Sequence, residues 1–148
     1  MNEIKPIPDD MHTITPYLNI EGAARLIDFL KQAFGAQELH RLEREPGSIM
    51  HAHLRIGDSN LMISDACQQM PPMPSSLYLY VQDADATYRR ALEAGATAQM
   101  EPADMFWGDR MASVNDPAGN TWSIATQVQI VPPEQIPERA QQFMQQQG

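Results

Sequence analysis

Cysteine is nearly absent from this sequence. Cys67 stands alone, so no disulfide can close within the chain, and a reducing compartment suits it. Bases are also scarce: ten Lys and Arg face 19 Asp and Glu, giving a formal charge of -9. Binding to a phosphate backbone draws on a basic surface, so nucleic acid is not an expected partner. An acidic surface keeps a protein soluble, repels anions at long range and attracts cations. No apolar run approaches the ~18 residues of a membrane span. The first ten residues, MNEIKPIPDD, set acids and prolines where a signal peptide would have an apolar core. The expectation is a cytoplasmic protein with no membrane partner. A phosphate-binding glycine loop and a GxSxG elbow are both missing.

What is present is a pattern that occurs twice. Thr13 to Ile20 alternates, with Ile14, Pro16, Leu18 and Ile20 on one face and Thr13, Thr15, Tyr17 and Asn19 on the other. Pro16 has no amide to give, which predicts an edge strand or a bulge. Gly22 to Phe34 carries an apolar stripe at helical spacing (Ala23, Leu26, Ile27, Leu30, Ala33, Phe34), and Gly35 is placed to cap it. Three strands follow: Gln37 to Arg44, Ile49 to Ile56 and Asn60 to Ser64, with turns at Pro46-Gly47 and Gly57-Asp58. Residues 67 to 75 hold three prolines without periodicity and read as a linker.

The layout then restarts. Ser76 to Val81 alternates, with Leu77, Leu79 and Val81 opposite Ser76, Tyr78 and Tyr80. Asp83 to Ala94 reads as a helix with Asp83 as its N-cap and Gly95 past its end. Thr97 to Pro102 is a short strand. Arg110 to Asn115 and Asn120 to Thr126 form a hairpin around Asp116-Pro117-Ala118-Gly119, whose residues suit a tight turn. Residues 133 to 147 form a polar, glutamine-rich helix. Two copies of strand–helix–strand–strand–strand predict an α+β fold of tandem βαβββ modules, residues 12–66 and 76–128, joined by the linker 67–75 and followed by a tail, 129–148. Each sheet has one apolar face under its helix. The other faces, bearing Thr15, Tyr17, Tyr78, Tyr80 and Ser123, are expected to curl into a cleft, the usual setting of a small-molecule site.

Several side chains are candidates for that site. His51 and His53 are two apart on one strand and share a face with Arg55. They can serve as a metal pair with Glu43, Asp58 or Asp65 as third ligand, as an acid/base or polar contact pair, or as partly exposed strand residues. Tyr78 and Tyr80 read as cleft lining; Trp122 alternates with core positions and reads as core. Phe106 and Trp107 precede Gly108 in a loop, where exposure favours packing on a ligand or partner. Aromatic walls suit planar or cationic ligands. Arg110 can bind a ligand carboxylate or phosphate, or fix the hairpin through Asp109 or Asp116. Cys67 has no assignable base, and His12 and His40 show no constellation.

The blocks KPIPDDMHTITPYLNIEGAARLIDFLKQAFGA, MHAHLRIGDSNLMISDA, LYLYVQDADATYRRALEAGATA and WGDRMASVNDPAGNTWSIAT resemble the vicinal oxygen chelate superfamily (glyoxalase, bleomycin resistance, dioxygenase), and within it the PhnB-like branch. The likeness runs from about Lys5 to Gln127. It implies paired βαβββ modules and a homodimer. In the superfamily's metal enzymes four strand positions carry His, Gln or Glu. They fall here on Thr15, Met62, Ser76 and Ser123, which are poor ligands for zinc, nickel or iron. Branch relatives often carry Glu at His53 and His at Asn120 and Gln127; this chain departs at all three. The resemblance and the residues together give three readings. The first is a metal-free protein binding a small organic molecule through Tyr17, His51, His53, Tyr78, Tyr80, Trp107, Arg110 and Ser123, with no cofactor expected. The second is a metal-dependent lyase, isomerase or dioxygenase with its site moved to His51 and His53. The third is a non-catalytic scaffold.

Overall fold

The computed structural model describes residues 3–147. The chain divides into two compact units, Met1–Ser75 and Ser76–Gly148. In the first, β1 (Tyr17–Ile20) leads into α1 (Ala23–Phe34), then β2 (Gln37–Glu45), β3 (Ser48–Ile56) and β4 (Ser59–Asp65). The sheet order is β1-β4-β3-β2, with β1 parallel to β4 and the other pairs antiparallel. The second unit repeats this with β5 (Ser76–Tyr80), α2 (Ala84–Glu93), β6 (Thr97–Asp104), β7 (Asp109–Asn115) and β8 (Thr121–Gln127), in the order β5-β8-β7-β6. The repeat holds to the residue: Tyr17 pairs with Met62, and adding 61 to each gives the pair Tyr78 and Ser123. The two modules expected from the sequence are therefore two four-stranded mixed sheets of one topology.

The stripe on α1 buries Leu26, Ile27 and Leu30 in the same core as Leu18, Ile20, Leu54 and Ile63; Phe29, outside the expected stripe, is buried with them, and Phe34, expected on it, is only half-buried. Each fully buried side chain contributes roughly 2 kcal/mol by leaving water. Gly35 ends the helix at φ 69, with its amide on Lys31 O and that of Ala36 on Leu30 O. Gly22 begins the helix without a capping side chain of its own. Asp65, at the end of β4, supplies the cap: Oδ1 accepts from the amides of Gly22 (3.1 Å) and Ala23 (2.8 Å), and Oδ2 from that of Ile49 (2.7 Å). Thr126, 61 positions later on β8, does the same for α2, accepting from Ala84 N at 2.9 Å. Asp83 caps α2 locally through Ala86 N, as expected.

Two expectations need correction, the start of the first strand and the start of the C-terminal helix. The first strand begins at Tyr17 and not Thr13; Ile14 is 82 % exposed and has no place in the core. Pro16 marks the boundary, because its carbonyl accepts Met62 N (2.9 Å) but it has no amide with which to extend the ladder. The proline-rich segment 67–75 is tied down: Asn19 Nδ2 donates to the carbonyls of Met70 and Pro71 (2.7 and 2.9 Å), and Met73 N donates to Asn19 O. The C-terminal helix starts as a 3-10 turn, Pro133–Gln135, before α3 (Ile136–Gln147). Arg139 on α3 docks on the second unit through Phe106 O (2.8 Å), and the rings of Phe143 and Phe106 lie 5.4 Å apart.

The hairpin between β7 and β8 is held by one side chain. Asp116 accepts from the amides of Ala118 and Asn120 through Oδ1, and from Asn120 Nδ2 and Trp122 Nε1 through Oδ2. Trp122, 2 % exposed, joins the core beside Ile124 as its alternation predicts.

Candidate functional site

The open face of the second sheet carries the tyrosines. Alternation along β5 turns Leu77 and Leu79 toward α2 and leaves Tyr78 and Tyr80 opposite them, 45 % and 64 % exposed. Asp109, the first residue of β7, is 3 % exposed and lies at the hydroxyl ends of both rings. Its Oδ2 accepts from Tyr78 Oη at 2.6 Å, from Tyr80 Oη at 2.9 Å and from Trp107 Nε1 at 3.0 Å. Trp107 Nε1 also donates to Tyr78 Oη at 3.2 Å. The two tyrosine rings lie 5.3 Å apart. Burial, and then the hydrogen bond to Asp109, push the Tyr78 phenol up to about 12. The bond to Asp109 is also the main cause that raises Tyr80. Ser123 is half-buried beside Tyr78, its partner across the β5–β8 ladder.

A tight turn delivers Trp107 to this group. Met105 N donates to Asp109 O, and Gly108 N to Met105 O. Gly108 sits at φ 106, and its carbonyl accepts the amides of both Val128 and Gln129. A Cβ at this position would overlap the Gln129 carbonyl oxygen. Only glycine permits that approach.

Arg110 goes elsewhere. It points to the helix side of the sheet, where it grips Asp85 on α2 with two bonds (2.7 and 3.1 Å) and reaches Asp104 at 3.1 Å. Hydrogen bonding to Asp85 and then Asp104 raises the guanidinium's pKa, and the bond from Arg110 holds the Asp85 carboxyl below its usual range. The expected alternatives, a ligand anion or Asp109 or Asp116, give way to a bidentate tie between α2 and β7.

The open face of the first sheet carries Tyr17 and the histidines. Tyr17 Oη lies 3.4 Å from His51 Nδ1, and the His40 and His51 rings are 6.2 Å apart, so His40 joins a grouping that its sequence neighbours did not suggest. His53 Nε2 lies 2.9 Å from Asn60 Oδ1. Asn60 Nδ2 in turn donates to the Asp10 carbonyl at 2.8 Å, which fixes the amide's orientation because a carbonyl can only accept. His53 therefore carries its proton on Nε2. Asp10 holds a left-handed φ of 66 to present that carbonyl, which Arg55 also reaches at 3.4 Å.

The residues do not fit the metal that the resemblance implies. Thr15 precedes β1, Met62 offers a thioether, and Ser76 and Ser123 offer hydroxyls. Nor do the third ligands considered for His51 and His53 come free. Asp65 is bonded to three amides, Asp58 to Ser59, and Glu43 lies 3.9 Å from Arg41. Among the described residues no three His, Cys, Asp or Glu side chains are grouped as a metal site requires.

Asp109, Asn60 and His40 are the residues that reading the sequence missed. Two-residue spacing back from Ser113, the ladder partner of Ser123, would have put Asp109 on the tyrosine face.

These features sit in a recognisable lineage. A sequence model of the Glyoxalase/Bleomycin resistance protein/Dioxygenase superfamily matches residues 11–124. An uncharacterized protein of Mycobacterium bovis is 37 % identical over 134 residues, covering 83 % of this chain and 88 % of that protein. Among solved structures, TioX from Micromonospora is 25 % identical with a TM-score of 0.67, over 79 % of this chain and 99 % of TioX. The PhnB protein of Bacillus cereus shares the fold at 21 % identity and a TM-score of 0.59, over 78 % and 99 % of the two chains. Among the described residues no helix is long and apolar enough to cross a membrane. The chain belongs to the glyoxalase/bleomycin resistance protein/dioxygenase superfamily.

Proposed function

We propose that this protein binds a small organic molecule on the aromatic open face of its second unit, stoichiometrically and without turnover. The observation that carries the reading is the Asp109 carboxylate, which holds Tyr78, Tyr80 and Trp107 by their polar ends and leaves the rings outward. A tyrosine on a sheet surface ordinarily samples several rotamers, and freezing them is an entropic cost of binding. Here three aromatic side chains are positioned before any ligand arrives. Tyr17, His51 and His53 offer a second set of polar contacts on the first unit's open face. The reading requires no cofactor.

We further infer a homodimer in the cytoplasm. β2 is an outer strand with Leu39 and Leu42 half exposed, a surface that suits a second copy of the chain, and the lone Cys67 suits a reducing compartment. Light scattering at micromolar concentration tests the stoichiometry.

Binding is tested by following Tyr78, Tyr80 and Trp107 by NMR during titration with small aromatic molecules of positive, neutral and negative charge. The expected result is saturable binding of at least one of them, at one site per chain, lost in Tyr78→Ala. No saturable shift with any probe defeats the reading.

A further inference from the structure

The tyrosine face has a direction built into it. A carboxylate oxygen only accepts hydrogen bonds, and an indole N–H only donates. Each phenol has one proton. Tyr78 and Tyr80 both give theirs to Asp109 Oδ2, at 2.6 and 2.9 Å. The Trp107 N–H is likewise turned inward, to Asp109 and to Tyr78 Oη. The two phenols and the indole therefore have no proton left to offer outward. They present oxygen lone pairs and the negative faces of their rings, over a buried carboxylate. Arg110, the adjacent cation in the sequence, is on the other side of the sheet in the grip of Asp85 and Asp104.

We propose that this face selects cations that themselves donate hydrogen bonds, such as amidinium or primary ammonium groups on an aromatic body. Such a group satisfies the phenol oxygens and gains from the rings and from Asp109 together. A quaternary ammonium gains only the ring and charge terms. A carboxylate meets lone pairs and like charge. The inference rests on the binding reading above and adds the ligand's chemistry to it.

Three probes of similar size separate the cases in the full-length protein: benzamidine, benzyltrimethylammonium and benzoate, titrated by NMR in the millimolar range that fragments of this size reach. Benzamidine is expected to bind about tenfold more tightly than benzyltrimethylammonium, with benzoate unbound. Tyr80→Phe keeps the ring and removes the oxygen. It should weaken benzamidine severalfold toward the level of benzyltrimethylammonium, whose own affinity stays unchanged, because Tyr78 Oη is then the one phenol oxygen left; Tyr80 is largely exposed, so this variant is expected to fold. Asp109→Asn replaces an acceptor by a group that can donate, frees phenolic protons to turn outward, and should raise benzoate binding at the expense of benzamidine. If benzoate or benzyltrimethylammonium binds as tightly as benzamidine, the direction is wrong while the binding face stands. If none of the three shifts Tyr78 and Tyr80, both the direction and the face are overturned.

Discussion

Tyr78 gives its phenolic proton to Asp109 across 2.6 Å, from β5 to the first residue of β7, thirty-one positions along the chain. The carboxylate it meets is buried and already accepts from Tyr80 and Trp107, so ionising the phenol would set two anions side by side.

Burial of the Tyr78 phenol, and then that hydrogen bond, give the protein an alkaline limit. The Tyr78 pKa is raised to about 12, above its ordinary value of 10.0. A raised pKa means that the stabilisation is complete below the unfolded value and is lost as pH rises through the folded one. The window is therefore pH 10 to 12. Melting temperature should fall across it, and Tyr78→Phe should shallow the fall. Because Tyr78 is nearly half exposed, solvent reduces the effect to on the order of 1 kcal/mol. A variant whose alkaline profile matches the parent would remove Tyr78 from the account.

Asp65 and Thr126 occupy matching places in the two units but do not hold their helices equally. Asp65→Ala strips the partner from three backbone amides and should destabilise by about 2–4 kcal/mol in urea unfolding. Thr126→Val loses the bond from Ala84 N and the one it makes to Val81 O, and should cost about 1–2 kcal/mol. A reversed order would contradict the capping argument.

Gly108→Ala should separate Trp107 from Asp109. The new Cβ meets the Gln129 carbonyl and strains a left-handed φ, a combination worth roughly 2–3 kcal/mol. Trp107 fluorescence should shift to the red as the indole enters water; Trp122, buried and bonded to Asp116, supplies an unchanged background.

Asn60→Ala should release the His53 ring. In the parent, 15N NMR of the neutral ring should show one tautomer with the proton on Nε2, because the Asp10 carbonyl fixes the Asn60 amide. The variant should show a mixture. Asn60→Asp retains an acceptor for Nε2 and should keep the single tautomer.

The parts legible beforehand share a physical character: each is decided within a few residues. The helical stripe of α1, the Asp83 cap, Gly35 and the Asp116 turn all depend on neighbours within about four positions, so composition and spacing suffice. The parts that were not legible depend on register. The bulges on β2 and β6, and the start of β1 at Tyr17, decide which side chains meet. A slip of one residue would have put Asp109 on the helix side and Arg110 among the tyrosines.

The sequence by itself determined a duplicated α+β chain, its helices, its principal turn and the faces that Tyr17, Tyr78 and Tyr80 occupy, because alternation and capping are local. Only the tertiary structure decided that Asp109 gathers Tyr78, Tyr80 and Trp107, that Asp65 caps a helix forty-three residues away, and that Arg110 belongs to Asp85. The reason is that a buried carboxylate must find donors wherever the ladder brings them, and sheet register brings together residues that spacing along the chain keeps far apart.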